Sequence, residues 1–155
     1  MNKHNDKLLN HFLNPKNVGS IENPDGFARV INPVNGYTTD IYIRIENDRI
    51  VLSRFKSIGC TATIAISSAI TELIKDKIVQ DFINKNDYYI YLMDLINNEL
   101  GNVPDKNWHC LPTAVMGVFK ALLSYYIKQD DKETIEKLKN IIYKIDEFIQ
   151  QKLNE

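Results

Sequence analysis

The chain has 155 residues, a length that carries one hydrophobic core by default, so a single domain spanning residues 1–155 is expected. An apolar share of 44%, and 19 basic against 20 acidic side chains for a formal charge of −1, supply no electrostatic drive toward nucleic acid or anionic lipid. The apolar stretches are broken by Lys, Asp or Asn short of a bilayer span, and the first residues show no apolar run with a cleavage site. Neither a membrane helix nor a secretory leader is therefore expected, and the expected compartment is the cytoplasm.

From the amino terminus, Asp6 to Leu13 reads as a short helix closed by Asn14-Pro15, since a residue before proline avoids the α region. After a loop to Gly26 the pattern becomes that of strands: Ala28–Ile31, Thr39–Ile45 with Ile41, Ile43 and Ile45 on one face, and Arg49–Phe55. Asn35-Gly36 predicts a tight hairpin between the first two, and Glu46-Asn47-Asp48 a turn between the last two. The product is a three-stranded antiparallel sheet.

The period then changes. Ala62, Ala65, Ile66, Ala69, Ile70, Leu73 and Ile74 form one helical stripe in a helix starting near Cys60. Val79 to Leu100 predicts one or two short helices with Phe82, Ile83, Tyr89, Leu92, Ile96 and Leu100 inward, ended by Gly101 and Pro104. A further helix from His109-Cys110 turns Val115, Val118, Phe119, Leu122, Leu123 and Tyr126 inward. Asp130-Asp131 offers an N-cap to a last amphipathic helix over residues 130–155, with a seam of Ile135, Leu138, Ile142, Ile145 and Ile149. The fold class is α+β, a sheet followed by helices that cover it.

Chemistry concentrates at the two cysteines, Cys60 and Cys110, both at loop-to-helix transitions, with His109 beside the second. The free N–H groups of a helix start favour a thiolate, and two thiolates with an imidazole suit zinc, iron or copper(I). The bland alternative is a pair of reduced cysteines packed in the core. A Cys-His dyad is disfavoured because neighbouring helical side chains point about 100° apart. His4 and His11 could supply another imidazole, but nothing aims either at Cys60; a surface or partner-contact role is expected for both.

Three stretches, in order, carry a resemblance: His11-Phe12-Leu13-Asn14-Pro15-Lys16-Asn17-Val18-Gly19-Ser20, then Phe55-Lys56-Ser57-Ile58-Gly59-Cys60-Thr61-Ala62-Thr63-Ile64-Ala65-Ile66-Ser67-Ser68, then His109-Cys110. Over roughly residues 8 to 127 the chain resembles the IscU/NifU amino-terminal family of iron–sulfur cluster scaffolds. The resemblance implies that family's three-stranded antiparallel sheet covered by helices, here with an additional C-terminal amphipathic helix. Family members build a site from three cysteines and an aspartate, with the His-Cys histidine at hand, and hold a transient 2Fe–2S cluster or zinc.

This sequence departs from that pattern. Asn35 stands at one family cysteine and Tyr37 at the aspartate, which leaves Cys60, His109 and Cys110 as the implied metal ligands. A cluster normally takes four anchors, whereas zinc accepts two cysteines, a histidine and water or a carboxylate, so zinc is the easier occupant, with Asp40 a candidate fourth ligand and Asn35 a neutral oxygen donor. Gly101 to Trp108 replaces the family's Leu-Pro-Pro-Val-Lys chaperone segment, so chaperone-driven transfer is not expected. The function implied is a scaffold for iron–sulfur assembly without turnover of its own. It would take sulfur from a cysteine desulfurase, with Cys110 the expected acceptor, and pass clusters to receiving proteins. The alternative is a non-catalytic interaction protein that keeps the fold without cluster chemistry; a cysteine-dependent enzyme is a third reading.

Overall fold

The structure, a computed structural model, describes residues 3–155, with side chains from Asp6 onward. Its elements in chain order are α1 (Lys3–Leu13), β1 (Gly26–Ile31), β2 (Thr38–Glu46), β3 (Arg49–Ile58), α2 (Thr61–Ile74), α3 (Val79–Asn84), α4 (Tyr88–Glu99), a 3₁₀ turn (Asp105–Asn107), α5 (Cys110–Lys128) and α6 (Lys132–Leu153). The strands form an antiparallel meander in the order β1-β2-β3, with Ala28 opposite Ile41 and Ile41 opposite Phe55. This is the α+β architecture expected. His4 lies where side chains are outside the described residues.

The two hairpins differ. Between β2 and β3, Asn47 and Asp48 both take left-handed φ angles of 50° and 62°, the geometry that matches strand twist in a two-residue turn. The expected tight turn at Asn35-Gly36 is instead a six-residue loop, residues 32–37. It is closed by Asn32 N–H donating to the Tyr37 carbonyl at 2.8 Å and Gly36 N–H to the Asn32 carbonyl at 2.9 Å. Only Gly36 in it is left-handed, at φ 76°. Within the loop the Asn32 side chain turns inward and caps Val34 N–H with its Oδ1.

One face of the sheet, carrying Val30, Ile41, Ile43, Ile50 and Phe55, is sealed by α2 and α5. Both helices are apolar enough to be covered in turn, α2 by α1 and α5 by α6. Close approach of α5 to the sheet depends on Gly117, where a Cβ would meet Ile41 at 3.1 Å and Val30 at 3.3 Å. The segment Asp105–Lys128 is long and apolar enough to cross a bilayer, contrary to the expectation from broken apolar runs, but most of it is buried inside the fold, where the sheet and α6 take up its apolar faces.

α6 packs on the domain through Leu138, Ile145 and Ile149, and Asp131 caps it by accepting from Thr134 N–H at 3.1 Å. Tyr88, not Tyr89, is the buried aromatic at the start of α4, its ring tilted against Phe82 with centroids 4.8 Å apart. Asp87, left-handed at φ 54°, breaks the chain between α3 and α4 and resets the helical phase that a continuous stripe assumed.

Candidate functional site

Cys60 ends the β3-to-α2 connection and Cys110 opens α5, and both helices lie against the same sheet face. Thr63, one turn into α2, bridges the sulfurs: its Oγ1 is 3.4 Å from Cys60 Sγ and 3.9 Å from Cys110 Sγ. Both thiols are free, Cys60 half-buried and Cys110 only 4% exposed. Gly59 makes the bridge possible, since a Cβ there would stand 2.7 Å from the Thr63 side chain. A cavity of about 10 Å³, room for about one water, lies among Asn32, Tyr37, Thr39, Thr63, Ser67, Cys110 and Thr113.

His109 comes close to Cys110 despite adjacency, its Nδ1 3.6 Å from the sulfur, which corrects the expectation that the two side chains diverge. His109 is the cap of α5, not part of its interior, and its ring is held by a residue that sequence reasoning missed, Asn32. Asn32 is buried; its amide nitrogen lies 2.8 Å from His109 Nδ1 and 3.7 Å from Cys110 Sγ. Since Asn32 Oδ1 already accepts Val34 N–H, the amide group facing His109 is the NH₂ donor, so Nδ1 accepts and the ring proton resides on Nε2. With that lone pair engaged, Nδ1 is a poor base for the thiol.

The two thiols titrate in opposite directions. Burial pushes Cys60 up, but hydrogen bonds from the Thr63 hydroxyl and the first-turn N–H groups of Thr63 and Ala62 outweigh it, leaving Cys60 below its ordinary value. Burial pushes Cys110 up to about 11, helped by the neighbouring Cys60 and opposed by Thr63 and Asn32. Burial also lowers His109, against the backbone carbonyl of Lys106, so the imidazole is neutral at pH 7.

The remaining candidates lie elsewhere. Asp40 is on the opposite face of the sheet from Thr39 and Ile41, gripped by Arg29 at 2.6 and 2.8 Å, so it supplies no fourth ligand. Asn35 is exposed and spends its Oδ1 on Tyr37 N–H, while the Tyr37 side chain borders the small cavity. Among the described residues, no three His, Cys, Asp or Glu side chains converge as a ready ligand set; Thr63 lies between Cys60 and Cys110, and Cys60 also acts directly on the Cys110 thiol.

Residues 3–132 match the NifU-like N terminal domain family. The chain belongs to that family. It is similar to the iron–sulfur cluster assembly scaffold protein IscU 1 of Archaeoglobus fulgidus, 35% identical over 87% of this chain and 84% of that one. The IscU scaffold of Aquifex aeolicus is 36% identical over 88% and 84%. A crystal structure of an iron–sulfur cluster assembly scaffold protein for the SUF system from Fervidobacterium islandicum has the same fold. It has a TM-score of 0.60 at 19% identity, over 76% of this chain and 94% of that chain.

Within this NifU-like domain, the opening signature performs structural work. Lys16 N–H donates to Ser68 Oγ at 2.9 Å, which leaves the Ser68 proton for His11 Nδ1 at 2.8 Å and the His11 Nε2 proton for Glu99 at 3.1 Å. His11 is thus a buried tie between α1, α2 and α4, not the surface residue expected. Asn17, left-handed at φ 65°, bonds Thr71 and Glu72, and its carbonyl takes Phe55 N–H. Thr63 was within reach of sequence reasoning, being three residues after Cys60 on a helix. Asn32 was not, because its role depends on the loop geometry.

Proposed function

We propose that this chain is an iron–sulfur cluster assembly scaffold, with iron and sulfide as cargo gathered at Cys60, Cys110 and His109. The observation that carries the reading is the grouping of both sulfurs about one hydroxyl, with an imidazole nitrogen 3.6 Å from the buried one. Family membership and the names of the relatives support it. One relative, from Drosophila melanogaster, is named an iron–sulfur cluster assembly enzyme; the reading here involves no turnover.

Sulfur arrives from a cysteine desulfurase. The Cys60 thiolate attacks the terminal sulfur of the desulfurase persulfide: an S–S bond forms on Cys60, the donor's S–S bond breaks, and the donor cysteine leaves as a thiolate. Electrons and atoms balance without an outside oxidant. Sequence reasoning assigned this step to Cys110, but burial and a raised pKa make Cys60 the accessible nucleophile. Two thiolates and one imidazole also suit zinc, whereas a cluster needs further anchors, from the receiving protein or small thiols.

Incubation with a desulfurase and cysteine, followed by mass mapping of trapped persulfides, tests this reading. Label on Cys60 first, lost in Cys60→Ala, is expected; no persulfide on either cysteine rejects it. The exposed Asn35 and the absence of a converged ligand set among the described residues favour a second reading, an interaction protein without cargo. Desulfurase binding that survives removal of both cysteines, with a metal-free native protein, distinguishes it.

A further inference from the structure

The Asn32 amide nitrogen contacts His109 Nδ1 at 2.8 Å and Cys110 Sγ at 3.7 Å at once, one N–H for each. Those two acceptors stand 3.6 Å apart. Two ligands of a tetrahedral zinc, at bond lengths of about 2.0–2.1 Å to nitrogen and about 2.3 Å to sulfur, stand about 3.6 Å apart. The pair is therefore spaced as metal ligands are, and the gap between them holds the positive end of an amide dipole.

We propose that Asn32 is an internal placeholder: its NH₂ group sits where a divalent metal bridging His109 and Cys110 would bind, and loading requires that it be displaced. The inference rests on the reading of Cys60, His109 and Cys110 as a cargo site. Asn32 is 5% exposed and contributes to the core of the site as no surface asparagine would. Its Oδ1 caps Val34 N–H, so displacing the side chain also removes that bond from the loop 32–37, while the backbone bonds of Asn32 to Tyr37 and Gly36 stay in place. Occupancy of the site is thereby linked to the Val34 cap in the loop beside it. Asn32 is a positioning residue for His109, fixing the ring as the Nε2–H tautomer with Nδ1 aimed at the shared gap.

The test uses full-length metal-free protein and cobalt(II) as the probe. Long-range ¹⁵N–¹H NMR of the imidazoles reads the His109 tautomer, and a cobalt titration followed by the thiolate-to-cobalt absorption reads affinity. Wild type is expected to show His109 Nδ1 unprotonated and Nε2 protonated. Asn32→Ala should bind cobalt ~3- to 10-fold more tightly, the size of the one or two net hydrogen bonds no longer competing. Asn32→Asp retains the cap on Val34 and should reverse the tautomer, with Nδ1–H donating to the carboxylate. A protonated Nδ1 in wild type, or equal or weaker cobalt binding by folded Asn32→Ala, overturns the placeholder while leaving the cargo site standing. No cobalt uptake by any of the three proteins removes the cargo site itself, and the placeholder with it.

Discussion

Gly59, Thr63 and the two cysteines form a dependent set. The Thr63 hydroxyl can reach both sulfurs only because position 59 lacks a Cβ, and that hydroxyl lowers the Cys60 pKa while opposing the rise that burial imposes on Cys110. At pH 8, iodoacetamide should alkylate Cys60 well before Cys110, and labelling of folded Cys110 should rise only as pH approaches about 11; peptide mapping by mass spectrometry reads both. The folded state holds the Cys110 proton more tightly than the unfolded chain does. The stability linked to it is complete below pH 9.0 and lost as pH rises through about 11. Thermal unfolding of wild type should therefore fall more steeply across that window than that of Cys110→Ala. The cysteines and His109 were legible in the sequence as residue types at helix starts. Asn32 was not, because its contact with His109 spans 77 positions and forms only once the loop 32–37 is wide enough to turn the side chain inward. Asp40 shows the converse: a carboxylate near the site in sequence, placed on the far face by strand alternation.

Secondary structure was legible wherever one period ran unbroken. The β2 alternation, the α2 stripe and the α6 seam all keep their predicted faces against the core. Phase was lost where left-handed residues intervene, as at Asp87, which exchanges Tyr88 for Tyr89 as the buried aromatic. The signature from His11 to Gly19 is best understood at this level, because it ties α1 and its following loop to α2, α4 and β3. His11→Ala leaves the buried Ser68 hydroxyl without its acceptor, which costs about 1–3 kcal/mol, with a further loss from the space vacated. A lower urea midpoint with an unchanged slope is expected, and Co(II) or persulfide loading at the distant cysteines should be retained. A role for His11 in cargo binding would instead show as lost loading at full stability.

The described residues share one hydrophobic cluster, from Leu8 in α1 to Ile149 in α6. The family match ends at residue 132, where α6 begins, yet this helix is part of the core and reaches the approach to the site, with Lys152 over the Trp108 ring at 5.5 Å. Leu138 is fully buried between α6 and the rest, and Leu138→Ala should destabilise the entire domain by about 2–5 kcal/mol in one cooperative transition. A helix that merely decorated the surface would show no such change. Cargo gathered at the paired thiols is tested most directly by one measurement: iron and acid-labile sulfide per chain after anaerobic reconstitution with a cysteine desulfurase, cysteine, ferrous iron and dithiothreitol, the dithiol supplying the two electrons that reduce each persulfide sulfur to sulfide. Wild type is predicted to retain both, with Cys60→Ala and Cys110→Ala losing them while remaining folded. Wild-type protein that retains neither, or cysteine variants that retain as much as wild type, would contradict it.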